Sequence, residues 1–140
     1  MKRWLIKTEP AEYSFDRLIR ESTTRWEGVS NALALRYLRQ MKWGDTVLVY
    51  HSGAEKAVVG LAEIVSDPYP DPASDDPRKV VVDISAREAL AGRIPLRAIK
   101  ADKRFQSFDL VRISRLSVMP VSGAHWKILM KLSKQHTQGA

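Results

Sequence analysis

Hydrophobic and polar positions in the first 42 residues predict one strand and two helices. Residues 4–7 have the pattern of a short strand, which ends before Pro10 because the residue preceding a proline is pushed out of helical geometry. Ser14 is a good cap for a short helix beginning at Phe15. Asn31 is a good cap for a second, stronger helix. The hydrophobic side chains of this second helix recur at helical spacing, at Leu35, Leu38 and Met41.

The middle of the chain has the pattern of a sheet. Residues 46–51 and 57–65 are β-rich runs on either side of a short Ser-Gly loop, which predicts a hairpin. Residues 67–78 are rich in proline and acidic side chains and predict a loop within the domain. Residues 80–85 resume the strand pattern. These segments are therefore expected to form the core of the sheet.

The last third predicts a helical turn, a strand and a closing helix. The helical turn is expected at residues 96–100 and the strand at residues 116–121. Ser122 can cap a helix that ends near Leu132, and residues 134–140 are expected to fray.

The count of these elements indicates the fold class. About five strands follow one another too closely for helical crossovers to build a parallel sheet, and three or four short helices accompany them. We therefore predict an α+β protein built on a small, mostly antiparallel β-barrel. A chain of 140 residues is long enough for one hydrophobic core, so we expect a single domain over residues 1–133.

Composition narrows the possible classes of site. Hydrophobic residues make up 44% and charged residues 28%, as in ordinary globular proteins. The absence of cysteine excludes disulfides, thiolate nucleophiles and cysteine-based metal sites. No apolar run approaches the roughly 20 residues of a membrane-spanning helix, and no signal-peptide pattern precedes Pro10. We expect a cytoplasmic protein without a cofactor.

The net charge of +7 is unevenly distributed. Residues 1–42 contribute +4, residues 43–96 contribute −4 and residues 97–140 contribute +7. The two basic ends suggest one positive face that attracts a polyanion such as nucleic acid. A solvated basic surface without a partner is the alternative interpretation.

Three segments place polar or aromatic side chains at the ends of predicted elements, where barrels usually bind ligands. They are residues 7–10, residues 26–31 and residues 50–52. Trp26 either offers a flat surface on which a base can stack or plugs one end of the barrel. Asn31 either caps its helix or contacts a ligand.

A fourth candidate lies in the basic last third. If Leu116 faces the core from a strand, Arg115 and Ser117 share the other face of that strand. Arg112 and Arg115 are suited to bind phosphate, because a guanidinium forks onto anionic oxygens. Surface salt bridges are the alternative role for both arginines.

Ordered blocks along nearly the whole chain resemble the EVE domain family of the PUA-like superfamily. The blocks read WLIKTEP, WEGVSNALALRYLRQMKWGDTVLVYHS, VVGLAEIVSDPYPDP and LVRISRLSVMPVSGAHW. The resemblance implies a PUA-like barrel with a pocket for a base turned out of its stack. Family members are regarded as readers of modified nucleobases, so the resemblance also implies a binding module that performs no chemistry.

Carried over to this chain, the family pattern implies a set of site residues. The base pocket would comprise Lys7, Thr8, Glu9, Pro10, Trp26, Val29, Ser30, Asn31, Tyr50, His51, Ser52, Arg115, Leu116 and Ser117, and phosphate would contact Arg25, Arg112 and Arg115. The chain departs from the pattern where Thr8 replaces serine, Ser30 replaces arginine and Met119 replaces glutamine. The change at Ser30 removes a fixed charge beside the expected pocket.

The combined prediction is a monomer that binds DNA or RNA and accommodates one modified base against Trp26. The alternative is a nucleic-acid hydrolase in which Glu9, Asp45 or His51 acts as the base, although three histidines form no convincing metal or nucleophile arrangement. A protein-interaction module using the loop at residues 69–72 is a third hypothesis.

Overall fold

The computed structural model describes the backbone of residues 1–138 and the side chains of residues 1–136. In this part of the chain the strands are β1 (Arg3–Thr8), β2 (Thr23–Trp26), β3 (Thr46–His51), β4 (Ala57–Ile64), β5 (Tyr69–Pro70), β6 (Val80–Pro95) and β7 (Val118–Pro120). The helices are α1 (Phe15–Glu21), α2 (Ala32–Gln40), α3 (Leu96–Ala101), α4 (Asp109–Arg112) and α5 (Gly123–Gln138), and Lys103–Phe105 forms a 3₁₀ turn.

The strands form one curled sheet in the order β2-β6-β4-β3-β1-β7, with β5 paired to β6. All described neighbours are antiparallel except β1 and β3, which run parallel because α1, β2 and α2 lie between them in the chain. The 16-residue strand β6 pairs with β2 near its start and with β4 along most of its length. Register shifts in β4·β6 and β3·β4 help the sheet to curl into a half-barrel.

Side chains are buried on both faces of the central strands, because successive residues of a strand point to opposite faces of the sheet. Strand β1 buries Trp4, Leu5 and Ile6, and the helices add Leu18, Leu38 and other fully buried side chains. Packing is tight where α1 meets β4. A Cβ on Gly60 would lie 2.3 Å from Cζ of Phe15, so only glycine allows that ring to rest on the strand. This contact fixes the position of α1 beside the end of β1.

The predicted α+β architecture and several predicted elements are confirmed. Strands β3 and β4 form the hairpin, Ser14 caps α1 and Asn31 caps α2. Ser122 Oγ accepts a hydrogen bond of 3.1 Å from the backbone N–H of His125 at the start of α5. The closing helix extends to Gln138, past the expected start of a frayed tail at residue 134, and residues 139 and 140 lie outside the described residues.

Some predicted elements differ from the structure. The described residues contain seven strands instead of about five, because β2 and the two-residue β5 were not predicted. Of the strand expected at residues 116–121, only Val118–Pro120 forms a strand, β7. Arg112 ends helix α4, and Arg115 lies in the connection between α4 and β7. Strand β6 continues ten residues beyond the predicted segment, because its second half pairs with β4. This half is largely exposed and lacks the usual hydrophobic alternation, so the sequence did not indicate a strand there.

Candidate functional site

A cavity of about 510 Å³ opens between the end of β1, helix α1, strand β2 and the loop that follows β2. This volume lies within the usual range for ligand pockets. Six of the predicted pocket residues line it, together with Arg25, which was predicted to contact phosphate. These seven are Lys7, Thr8, Glu9, Arg25, Trp26, Val29 and Ser117. These residues come from separate segments of the sequence that the fold brings to one cavity, and their role in binding a base stays a prediction.

An aromatic corner forms one wall of this cavity, which we call the Trp26 cavity. Trp26 ends β2 and is 8% exposed, and Tyr13 meets it edge to face, with ring centroids 6.0 Å apart at 89°. The Tyr13 hydroxyl donates to Glu21 at 2.6 Å, and the Arg17 guanidinium lies 4.8 Å from the centroid of the Tyr13 ring. Both rings are thus held in fixed orientations, which suits a flat ligand.

The segment at residues 8–13 positions Tyr13. The Thr8 hydroxyl donates to the Tyr13 carbonyl at 2.7 Å, and the Tyr13 amide donates to the Glu9 carbonyl at 2.8 Å. The turn begins at Pro10, directly after Glu9. Thr8 and Pro10 therefore shape the turn that brings Tyr13 to Trp26.

Carboxylates outnumber cations around the Trp26 cavity. Three lining residues are cationic, Lys7, Arg17 and Arg25, whereas four are acidic, Glu9, Glu12, Glu21 and Glu27. The cavity is therefore richer in hydrogen-bond acceptors than a phosphate site would be.

Glu9 and Lys7 are both held at the end of β1. Glu9 Oε1 accepts the Ala11 amide at 3.2 Å, and a Cβ on Gly53 would lie 2.2 Å from Glu9 Oε2, so a glycine with φ of +74° is needed beside this carboxylate. Lys7 Nζ donates to the Ser114 carbonyl at 2.8 Å and lies 5.8 Å from the Tyr50 ring centroid. Burial lowers the pKa of the Lys7 ammonium below its ordinary value.

Two predicted pocket residues have structural partners. Asn31 Oδ1 accepts the Ala34 amide at 3.0 Å and so caps α2. His51 is buried, and its Nε2 accepts the Phe15 amide at 3.0 Å. Its Nδ1 therefore carries the proton and donates to Glu55 at 2.8 Å. Neither side chain lines the Trp26 cavity.

The remaining predicted residues do not line the Trp26 cavity. Tyr50 and Ser52 line a neighbouring cavity, and Ser30 lines a third cavity beside Arg36 and Arg39 on α2. Leu116 is buried in the core, Arg115 is exposed, and Arg112 pairs with Asp109 at 3.6 Å. A role for these residues in binding stays a prediction.

Sequence reasoning missed Tyr13 and most of the carboxylates that line the cavity. Tyr13 follows the residue 7–10 block closely, and aromatic residues near such a block are a usable signal. Glu12, Glu21 and Glu27 gave no such signal, because isolated acidic residues are usually solvated.

Two observations concern other classes of site. Within residues 1–136, no group of three or more His, Asp or Glu side chains is arranged to hold a metal ion. No helix in the described part of the chain has the length and apolar character needed to cross a membrane.

The chain is similar to one family of known proteins. The family model described as EVE domain matches residues 2–132. Thymocyte nuclear protein 1 of Gallus gallus is 30% identical, with 94% of this chain aligned to 60% of that protein, and the Mus musculus protein is 29% identical, with 94% aligned to 73%. The chain thus spans about three fifths of the length of the chicken relative.

Solved structures share the fold. A Rhodopseudomonas palustris protein solved by NMR is 36% identical, with a TM-score of 0.91 and coverage of 96% of this chain and 94% of that one. Human THYN1, crystallised in complex with DNA containing 5-methylcytosine, is 27% identical, with a TM-score of 0.86 and coverage of 96% and 98%. The predicted PUA-like fold is confirmed. The chain belongs to the EVE domain family.

Proposed function

We propose that this protein is a nucleic-acid-binding module that holds a single modified base in the Trp26 cavity and performs no chemistry itself. The observation that carries the proposal is an aromatic-walled cavity in a fold shared with a human protein crystallised with 5-methylcytosine DNA. The aromatic corner supplies the stacking surface, and the polar lining supplies groups that read the edge of the base.

The excess of carboxylates favours a base that presents hydrogen-bond donors. Cytosine, adenine and guanine carry exocyclic amino groups that Glu9 and its neighbours can accept from, whereas thymine and uracil present a carbonyl at the corresponding position. An amino-bearing base such as 5-methylcytosine therefore fits the cavity better than thymine.

The energetics favour a base that is already accessible. Unstacking and unpairing a base costs a few kcal/mol, and stacking on an aromatic side chain returns about 1–3 kcal/mol. These terms nearly offset each other, so the protein should prefer single-stranded, mismatched or already flipped nucleotides over perfect duplex.

The hydrolase alternative is less well supported by the geometry. Both imidazole nitrogens of His51 are hydrogen-bonded within the fold. Buried Asp45 accepts hydrogen bonds from the Trp4 indole at 2.9 Å and from the Lys2 and Lys42 amides at 3.0 Å. A general base needs a free lone pair directed at the substrate, and these two side chains use theirs to stabilise the structure.

The test compares binding of single-stranded oligonucleotides that contain one 5-methylcytosine or one cytosine at the same position. Wild type should bind the modified strand more tightly, and Trp26→Ala should lose most of that preference, because about 1–3 kcal/mol of stacking is removed. The alanine variant also loses about 3–5 kcal/mol of stability through the buried cavity it creates. Trp26→Phe, which keeps an aromatic ring, is therefore measured beside it and should show an intermediate preference.

Trp43→Ala is the matched control, because Trp43 is 67% exposed and does not line the cavity. It should keep the wild-type preference. Equal affinity of the folded wild-type protein for a panel of modified and plain strands would refute the proposal.

A further inference from the structure

A second cavity of about 290 Å³ shares Lys7 with the Trp26 cavity. It is enclosed by the loop between β3 and β4, helix α3 and the connection after α4. We call it the lysine cavity. Its polar and aromatic side chains come from Lys7, Tyr50, Ser52, Lys56, Lys100 and Ser114. None of its lining residues, all within the described part of the chain, is acidic.

The three lysines reach this cavity from separate segments. Lys7 lies near the end of β1, Lys56 precedes β4 and Lys100 lies in the last turn of α3. The Lys56 backbone has φ of 46°, an uncommon conformation for a residue other than glycine, and its carbonyl accepts the Leu96 amide at 2.8 Å. That hydrogen bond ties the turn bearing Lys56 to the start of the helix bearing Lys100.

Within the described residues, the ammonium groups of these lysines have no acidic partner in an ion pair. No ion pair joins Lys7, Lys56 or Lys100 to a carboxylate within residues 1–136, although eight other basic side chains in this part of the chain do form such pairs. Three like charges around one concave surface repel one another and attract an anion. Partial burial of Lys7 adds to this effect, since an anion beside it would replace lost hydration.

The charge of the two adjoining cavities is complementary to the two parts of a nucleotide. The Trp26 cavity has an excess of carboxylates and disfavours phosphate, whereas the lysine cavity has cations only. Lys7 lines both cavities and so joins them. A strand whose base occupies the Trp26 cavity can therefore place its backbone at the lysine cavity.

We propose that the lysine cavity is a phosphodiester subsite, in which Lys7, Lys56 and Lys100 bind a backbone phosphate adjacent to the nucleotide whose base occupies the Trp26 cavity. The inference rests on the proposed function. Lysine suits this role because its ammonium acts as a compact point charge with three donors.

The experiment tests whether the lysines contact one particular phosphate of the bound strand. Binding of a single-stranded 5-methylcytosine oligonucleotide is measured for wild type, for Lys56→Gln/Lys100→Gln and for Lys127→Gln/Lys131→Gln, which removes two exposed charges from α5. Each protein is tested with the normal strand and with strands carrying one neutral methylphosphonate on either side of the modified nucleotide. Each is also tested at several salt concentrations and against the matching cytosine strand.

Neutralising one of the two phosphates should weaken wild-type binding about tenfold. It should also reduce the salt slope by about 0.7, the value for one phosphate contact on a single strand. The Lys56→Gln/Lys100→Gln variant should start about tenfold weaker and lose little more on neutralisation. Its preference for 5-methylcytosine over cytosine should equal that of wild type. The α5 variant should respond to neutralisation as wild type does.

Two results would overturn the subsite. In the first, neutralising the phosphate weakens binding by the Lys56→Gln/Lys100→Gln variant as much as binding by wild type. In the second, the α5 variant loses as much affinity for the normal strand as the Lys56→Gln/Lys100→Gln variant does. If the proposed function is wrong, the result is different. Wild type would then show no preference for modified strands, whereas the effect of neutralising the phosphate could still depend on the lysines. Absence of binding to every strand would overturn both.

Discussion

At the scale of single residues, His51 is held in its neutral form. Its Nε2 accepts a backbone N–H from Phe15, and only an unprotonated nitrogen can accept. Burial, followed by the positive charge of Arg93, lowers the pKa of His51 below its ordinary value of 6.5. Glu55 and Arg93 form an ion pair beside it, and the charges of Asp16 and Glu9 oppose the shift without reversing it.

This arrangement predicts a stability that depends on pH through His51. Below pH 6.5 His51 binds a proton in the unfolded chain but stays neutral in the folded one. The contribution of His51 to the free energy of unfolding is therefore at its maximum above pH 6.5 and decreases as the pH falls toward the folded pKa. The expected slope approaches about 1 kcal/mol per pH unit in this window. Urea denaturation between pH 5 and pH 8 measures it, and His51→Gln should flatten this part of the profile.

His136→Gln removes an imidazole elsewhere on the chain and serves as the control. It should keep the wild-type slope. Identical slopes in wild type and His51→Gln would show that another group controls the stability in this range.

Some of the predicted site residues lie in contiguous blocks of the sequence, and their role in binding stays a prediction. Lys7, Glu9 and Trp26 belong to such blocks and do line the Trp26 cavity. Lys56 and Lys100 were missed, because they are 44 positions apart in the sequence. Their segments are brought together by the pairing of Ala57 with Pro95 and by the hydrogen bond between Leu96 and Lys56. Burial of His51 was also out of reach, since its partners Phe15 and Glu55 come from different elements.

At the scale of elements, the start of helix α2 distinguishes the two roles predicted for Asn31, a helix cap and a ligand contact. The cap is present, and the side chain lies outside the Trp26 cavity. Asn31→Ala should therefore lower the free energy of unfolding by about 1 kcal/mol, the usual contribution of such a cap. The preference for a modified strand should not change. Thermal or urea unfolding and the oligonucleotide assay together measure both effects.

Asn31→Ser retains a capping oxygen and should restore most of the stability. A loss of base preference in both variants at unchanged stability would instead identify Asn31 as a reader of the base.

Elements with strong local patterns were predicted, whereas β2, β5 and the second half of β6 were not. The β3–β4 hairpin and the capped helices carry their own signals in turn residues and periodicity. Strand β2 is a strand because it pairs with β6, about 60 residues further along the chain. Trp26 ends this strand, and the pairing of β2 with β6 helps to fix its position.

At the scale of the whole molecule, charge is arranged more finely than the sequence suggested. Strand β1 pairs with β7, so the two basic ends of the chain do meet. Part of their charge is neutralised locally, as in the pairs Arg104–Asp102 and Arg112–Asp109. Near Lys7, one cavity has an excess of carboxylates and the cavity that shares this residue has lysines as its only charged residues. One continuous positive face, a monomeric state and a cytoplasmic location stay predictions.

The family and the PUA-like class were predictable because several ordered blocks extend over nearly the whole chain, and the family model confirms them across residues 2–132. The partition of charge between adjoining cavities was not predictable, because it depends on which side chains the curled sheet brings to each side of Lys7.

The central claim is that a base enters the Trp26 cavity, and photo-crosslinking tests it most directly. A single-stranded oligonucleotide with one 5-iodocytosine is bound and irradiated, and the crosslinked peptide is identified by mass spectrometry. We predict crosslinks to Trp26 or Tyr13, which form the aromatic corner of the cavity. Crosslinks confined to exposed Trp43, with none at the corner, would contradict the account.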